Sequence, residues 1–325
     1  MFAAARRLAW PKIAALAWAA LAPGLACAEF PDHPLRLIVP FATGGAVDGI
    51  ARLAAGEFGN ALGQAVVIDN RPGSGGTVGI LTAANAPADG YTLLLGNIAL
   101  ASAPALYPKS GINTGQFAAV GLIGRSAYVV AVKSDFPART IGEFITLAKA
   151  SPGKYNYASA GSGSAIHLAA ELFKNEAGID LVHVPYKGAG PAMTALIGGE
   201  VEMMFGSVSE LKPMIEAKRI RPIAVSTAVR AQALPNVPTL AEAGVRDYAV
   251  SGWYGFFAPA KTPPEALRKL QAAAQKAVAS DAMRQQLAGY DMEPSSGGAK
   301  EAEDLLNADA KRWAEVIRRA KVKAD

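Results

Sequence analysis

Two glycine-rich loops carry the residue types best suited to binding a small anion. Residues 41–48 have the sequence FATGGAVD, and residues 159–167 have the sequence SAGSGSAIH. Each loop follows a predicted strand and opens a predicted helix, whose first N–H groups lack internal partners and carry the positive end of the macrodipole. Glycine lets a ligand approach the backbone, and serine hydroxyls add further donors. The loops are therefore predicted to hold one carboxylate from two sides, without a buried arginine.

Simpler roles remain open for the same loops. Each could be only a tight strand-to-helix turn in which glycine adopts a positive φ. Asp48 lies in the first turn of its helix, where it either caps free N–H groups or contacts the ligand. His167, at the corresponding place, either donates to the ligand or makes a structural hydrogen bond. Arg36 and Arg52 are expected to serve the structure or the surface. The matching position of the two loops favours binding.

Short apolar strands alternate with amphipathic helices and must position these loops. The predicted strands are residues 35–40, 65–69, 91–95, 128–132, 155–159, 181–184, 201–205 and 220–226. The predicted helices are residues 46–61, 140–150, 165–177 and 190–198, with a further helical stretch over 263–319. This alternation predicts an α/β fold with largely parallel strands buried on both faces.

The chain of 325 residues is long enough for about two domains with a cleft between them. It contains no long linker, so the crossings between domains must be short; they are predicted near 124–128 and 248–253. The predicted organisation is a signal peptide at 1–28, the first part of domain 1 at 29–126, domain 2 at 127–249, and a return segment to domain 1 at 250–325.

The N-terminal segment has the layout of a secretory signal peptide. Basic residues within 1–12 precede the apolar run 13–25, and three small residues, 26–28, precede Glu29. The apolar run is shorter than the roughly 20 residues of a membrane-spanning helix. The mature chain is predicted to begin at Glu29 in the periplasm. Because Cys27 is the only cysteine, that chain has no disulfide, thiolate nucleophile or sulfur metal ligand.

Charge and motif content exclude several function classes. The net charge of +5 falls to +2 without the three basic residues of the signal peptide, and such a balance is poor evidence for nucleic-acid binding. Residues 70–79, NRPGSGGTVG, lack the spacing of a dinucleotide loop, and no glycine run continues into the Gly-Lys-Ser/Thr of a P-loop. The three histidines lack zinc-site spacing, and no G-x-S-x-G is present. No catalytic residue, metal or cofactor is predicted.

Several ordered segments of the chain match one known family. They are PFATGGAVD at 40–48 with AR at 51–52, NRPGSGG at 70–76, AGSGS at 160–164 with HL at 167–168 and ELF at 171–173, VPYKG at 184–188, GGEV at 198–201, and LPNVPTLAEAG at 234–244. With these segments the chain resembles the Bug-type solute receptors, the substrate-binding component of tripartite tricarboxylate transporters, over nearly all of its length after residue 28. It departs from their common pattern at Ala42-Thr43, where proline or alanine is usual, and at Lys261, where glycine is common.

The resemblance implies a type II-like periplasmic binding fold of two α/β domains around a ligand cleft. The ligand-binding residues it implies, together with the loop chemistry, are Phe41, Thr43, Gly44, Gly45, Ala46, Asp48, Ser159, Ala160, Gly161, Ser162, Gly163, Ser164, His167 and Tyr186. The expected ligand is a mono-, di- or tricarboxylate, an amino acid or an aromatic acid, and the expected partners are membrane permease subunits. The protein is expected to be a monomer without enzyme activity. The alternatives to a transport receptor are a ligand-sensing receptor for a signalling partner and a hydrolase.

Overall fold

The computed structural model describes residues 29–246 and 248–323. The predicted signal peptide, residues 1–28, lies outside the described residues. The strands are β1 (Leu35–Val39), β2 (Val66–Asn70), β3 (Thr92–Gly96), β4 (Phe117–Lys133), β5 (Asn156–Ser159), β6 (Val182–Pro185), β7 (Met203–Ser207), β8 (Ile220–Val225), β9 (Ser251–Pro259) and β10 (Met292–Pro294). The α-helices are α1 (Ala46–Leu62), α2 (Thr77–Ala84), α3 (Ile98–Leu106), α4 (Ile141–Ala150), α5 (Ala165–Ala177), α6 (Ala189–Gly198), α7 (Val208–Glu216), α8 (Pro264–Ala279), α9 (Asp281–Gly289) and α10 (Ala299–Ala320).

One long strand joins two groups of strands. The order is β2-β1-β3-β9-β4-β7-β5-β6, with β8 and β10 also paired to β4. Residues 117–127 of β4 pair with β9, whereas residues 128–133 pair with β7 and β8. We call β1, β2, β3, β9, β10 and residues 117–127 the first half, and β5 to β8 with residues 128–133 the second half. The main chain therefore passes directly from one half to the other inside β4.

Each glycine-rich loop follows a strand that has parallel neighbours on both sides. In the first half β1 lies between β2 and β3, and in the second half β5 lies between β6 and β7. The carboxyl ends of parallel strands are the usual place for ligand loops in α/β proteins, because the strands end together and helices begin there. The predicted helix starts after both loops match α1 and α5.

The expectation of largely parallel strands is wrong. Among the described residues, four strand pairings are parallel and five are antiparallel. All five antiparallel pairings involve β4 or β9, the strands that run between or beside the two halves. The predicted strand at 128–132 is only the final part of β4, and of β9 only the start was predicted, as a short strand-like crossing near 248–253. Trp253, Phe256 and Phe257 of β9 are all buried, so the strand lacks the polar alternation that marks a half-exposed one.

The C-terminal region is helical, as predicted, but the strand β10 interrupts it. Helices α8 and α9 pack against α1 of the first half. Helix α10 packs against α3, β4 and α5, and therefore contacts both halves. The side chain of Trp253 donates from Nε1 to Asp309 Oδ2 of α10 at 2.7 Å. None of the helices in the described ranges is long and apolar enough to cross a membrane.

Candidate functional site

The loop after β1 enters α1 through two glycines. Gly44 has a φ of +89°, and Gly45 is the N-cap residue with extended backbone and no side-chain cap. Thr43, Gly44 and Gly45 are exposed, and Phe41 is half-buried. Ala46 begins the helix. The exposed backbone of this turn is open to a partner from the second half.

Asp48 holds the loop in place through hydrogen bonds to both of its carboxylate oxygens. Its Oδ2 accepts hydrogen bonds from the Gly44 N–H at 3.1 Å and from Arg52 Nε at 2.9 Å. Its Oδ1 accepts from the Asn70 amide at 3.0 Å, and the same amide donates to the Phe41 carbonyl at 2.9 Å. Burial raises the pKa of Asp48, but the bonds from Arg52, Asn70 and Gly44 outweigh it and hold the pKa below its ordinary value. Both oxygens are engaged within the protein in this structure.

The two arginines noted in the sequence both make ion pairs. Arg52 also donates from Nη2 to Asp48 Oδ1 at 3.1 Å, so it binds Asp48 with two nitrogens, and Arg36 Nε donates to Asp69 Oδ2 at 2.6 Å. Asp69 also accepts from Arg71 at 2.9 Å. These partners agree with structural rather than ligand-binding roles.

The loop after β5 is more deeply buried than the loop after β1. Ser159, Ser162 and Ser164 are each at most 3% exposed. The Ser159 hydroxyl lies 2.6 Å from His183 Nε2 and exchanges hydrogen bonds with the backbone of Gly161, so it is occupied within the protein. Ser164, the N-cap residue of α5, makes no cap bond, and its Oγ is buried without a hydrogen-bond partner among the described residues. A buried hydroxyl without a hydrogen-bond partner costs free energy unless a ligand or a water molecule supplies that partner.

His167 makes a structural hydrogen bond in this structure. Its Nδ1 accepts from the Gly163 N–H at 2.9 Å, and its ring stacks on His183 with centroids 3.9 Å apart. Tyr157 packs beside His183 and donates to Glu171, whose Oε1 also accepts from Lys174 at 2.7 Å. Burial raises the pKa of Tyr157 well above its ordinary value. This buried network supports the loop from behind.

Tyr186 lies at the edge of the same loop. Its backbone N–H donates to the Ser159 carbonyl at 3.0 Å, and its hydroxyl donates to Glu200 at 3.3 Å. Its carbonyl lies near Gly161, whose φ is +113°. The residue is half-buried and is placed to border the loop with Ala160.

A third glycine-rich turn lies between the two loops. Residues Ser74–Gly76 form a short 3-10 turn ahead of α2. A side chain on Gly76 would approach the Phe41 ring, at 3.3 Å, whereas one on Gly75 would collide with the carbonyl oxygen of Ser162. Nearby, the Tyr107 hydroxyl donates to the same carbonyl at 3.5 Å. The first half therefore contacts the loop after β5 directly.

Several of these functional candidates were missed in the sequence. The segment 70–79 was tested as a nucleotide loop, and NRPGSGG at 70–76 was matched to the receptor family, but neither Asn70 nor these glycines were placed in the binding site. The run of glycines was itself the signal for a close approach of backbones. The Ala46 N–H donates to Glu210 of α7 at 3.0 Å. Glu210 is far from α1 in the chain, and no local pattern in the sequence indicated this contact. Across the described ranges no group of three or more metal-ligating side chains is present.

Comparison with known proteins identifies the family of this chain. Residues 50–322 match the family described as tripartite tricarboxylate transporter family receptor. A protein of Pseudomonas sp. strain P51, encoded in the tcbD-tcbE intergenic region, is 38% identical over 290 residues, covering 89% of this chain and 86% of its own.

Solved structures give the same result. MatC from Rhodopseudomonas palustris with bound malate is 30% identical with a TM-score of 0.82, covering 89% of this chain and 100% of MatC. An R. palustris protein with adipate is 33% identical with a TM-score of 0.84, covering 91% of this chain and 99% of that chain. The α/β architecture is that of the periplasmic binding proteins, as predicted. The chain belongs to the tripartite tricarboxylate transporter receptors, a family of solute-binding proteins and not of enzymes.

Proposed function

We propose that this protein is a periplasmic receptor that captures a small organic carboxylate between the loops 41–48 and 159–167 and delivers it to the membrane permease subunits of a tripartite transporter. One observation carries the proposal. One glycine-rich loop from each half approaches the Ser74–Gly76 turn, through Phe41 and through Ser162, and the Ser164 hydroxyl in the second loop is buried without a partner among the described residues.

The chemistry of these loops suits a carboxylate. Helix starts present N–H donors and partial positive charge, which stabilise an anion that has left water. The two bound ligands named above, malate and adipate, are both carboxylates, which supports the same class here. We place the main carboxylate contact at the loop after β5, because there a hydroxyl donor is left over, whereas the Gly44 and Ala46 N–H groups already hold carboxylates of the chain itself.

A thermal-shift screen over mono-, di- and tricarboxylates, amino acids and aromatic acids tests ligand capture. A true ligand at 100 times its dissociation constant should stabilise the folded protein by about 2.7 kcal/mol. Ser164→Ala should then weaken that ligand by about 10- to 150-fold, the value of a hydrogen bond to a charged group, with little change in the free energy of unfolding.

Ser126→Ala is the matched control, because Ser126 lies in β4 and not in a glycine loop, and its buried hydroxyl likewise has no partner in the part of the chain that the structure describes. Its affinity should equal that of the wild type. Equal affinities in both variants would remove Ser164 from the site. A screen in which no acid stabilises the protein would refute carboxylate capture itself.

Delivery of the ligand to a permease requires that the two domains close around it. We place domain boundaries at 126/127 and 249/250, so that the two domains would close around the ligand by bending within β4 and at the start of β9. Reconstituted uptake that requires both the receptor and the permease subunits would support delivery. Ligand-dependent capture of a sensor domain, without any uptake, would favour the signalling alternative.

A further inference from the structure

The N-terminus of α1 already holds a carboxylate that belongs to the chain. The Ala46 N–H donates to Glu210 Oε1 at 3.0 Å, and the Ser207 hydroxyl donates to Glu210 Oε2 at 2.8 Å. Glu210 lies in the first turn of α7, in the second half, whereas Ala46 lies in the first half. Each oxygen of this half-buried side chain therefore has a donor, and the contact spans the cleft.

Glu210 also changes the charge at this end of the cleft. Asp48 accepts from the Gly44 N–H, two residues before Ala46, and its charge is balanced by Arg52. Among the described residues no ion pair includes Glu210. The start of α1 thus has two carboxylates and one cation beside it. A helix end that would attract an anion carries a net negative charge from its side chains.

We propose that Glu210 selects the ligand by charge. A second ligand carboxylate at the α1 end must either displace Glu210 from its two donors or lie beside it, and both are unfavourable. A hydroxyl, amide or ammonium group at the same place could donate to Glu210 instead. The inference rests on the proposed function: the favoured solute has one carboxylate at the loop after β5 and a hydrogen-bond donor or cation directed towards Glu210.

A pair of ligands of equal length tests this selection. Adipate has carboxylates at both ends, and 6-aminohexanoate has an ammonium group in place of one of them. Isothermal titration should show that the wild type prefers 6-aminohexanoate to adipate. Glu210→Gln should move the ratio of the two affinities towards adipate by about 10-fold or more, because glutamine can still accept from Ala46 while its amide donates to a carboxylate.

Glu216→Gln is the control, since it removes the same charge from the far end of α7, where Glu216 pairs with Lys212. It should leave the ratio unchanged. A ratio that is the same in the wild type and in Glu210→Gln, or that moves equally in both variants, would overturn the inference while leaving carboxylate capture intact. If some other carboxylate in the screen binds but neither adipate nor 6-aminohexanoate does, the same comparison is made with the shorter pair succinate and 4-aminobutyrate. If no carboxylate binds any of the proteins, the proposed function fails together with this inference.

Discussion

Replacing Gly75 with alanine should weaken ligand binding, in addition to the cost to the fold that any alanine with a positive φ has. Gly75 has a φ of +61°, and a Cβ there would collide with the backbone carbonyl of Ser162 across the cleft. A backbone oxygen cannot swing aside as a flexible side chain can, so the two halves must separate slightly. Overpacking of this kind costs about 1–3 kcal/mol. If binding requires the halves to close, the affinity should fall by about 5- to 150-fold.

The chain offers a control with the same backbone strain and no collision. Gly178, the C-cap residue of α5, has a φ of +62°, and nothing lies within 4 Å of the place where its Cβ would be. An alanine in left-handed conformation costs about 1–2 kcal/mol at either position. Gly178→Ala should therefore lower the free energy of unfolding by that amount and leave the affinity unchanged.

Calorimetric titration with the acid that stabilises the wild type most, together with urea unfolding of the ligand-free proteins, separates the two effects. The ligand-free variants should lose similar stability, because a slight separation of the halves relieves the collision but not the φ strain. Equal affinities for Gly75→Ala and Gly178→Ala would refute the reasoning, since the contact between the Ser74–Gly76 turn and Ser162 would then play no part in closure.

Three further predictions concern acid stability, the core and export. Asp48→Asn should destabilise the protein by about 1–3 kcal/mol at pH 7. Because the pKa of Asp48 is lowered in the folded protein, the stability that its carboxylate contributes is present above the ordinary pKa of 3.8 and is lost as the pH falls through the folded value. The urea midpoints of the two proteins should therefore converge in strong acid. Trp253→Phe should lower the free energy of unfolding by about 3 kcal/mol or more, because Asp309 loses the Nε1 donor and is left buried; an unchanged thermal midpoint would contradict this. The intact mass of the exported protein should correspond to a chain that begins at Glu29, and a mass that includes residues 1–28 would contradict the predicted cleavage.

Local patterns in the sequence were enough to locate the loops and the helices that follow them. The glycines before Ala46 and Ala165 and the apolar strands before them identify strand-loop-helix units, because each signal lies within about ten residues. The buried aromatic run of β9 has no such signal, since both of its faces are covered and a period of two disappears. Its pairing with β3 and β4 follows only from the tertiary fold.

Contacts of the two loops were harder to foresee than the loops themselves. Asp48 and His167 each had a capping role among their predicted alternatives, and both accept from backbone N–H groups of their own loops. The approach of Gly75 to Ser162 and that of Glu210 to Ala46 join segments far apart in the chain. Such pairs depend on how the two halves face each other, which no short-range pattern encodes.

The position of β9 in the sheet and in the chain favours one order of assembly as the chain emerges. This strand lies between β3 and β4, but it is made after the whole second half. Strands β5 to β8 and residues 128–133 form one uninterrupted stretch of chain and can pair as soon as residue 225 has emerged. The first half lacks a central strand until residue 259 follows. The N-terminal strands therefore keep unpaired edges for longer, and unpaired edges are prone to aggregation. We expect the second half to complete its sheet before the first half does.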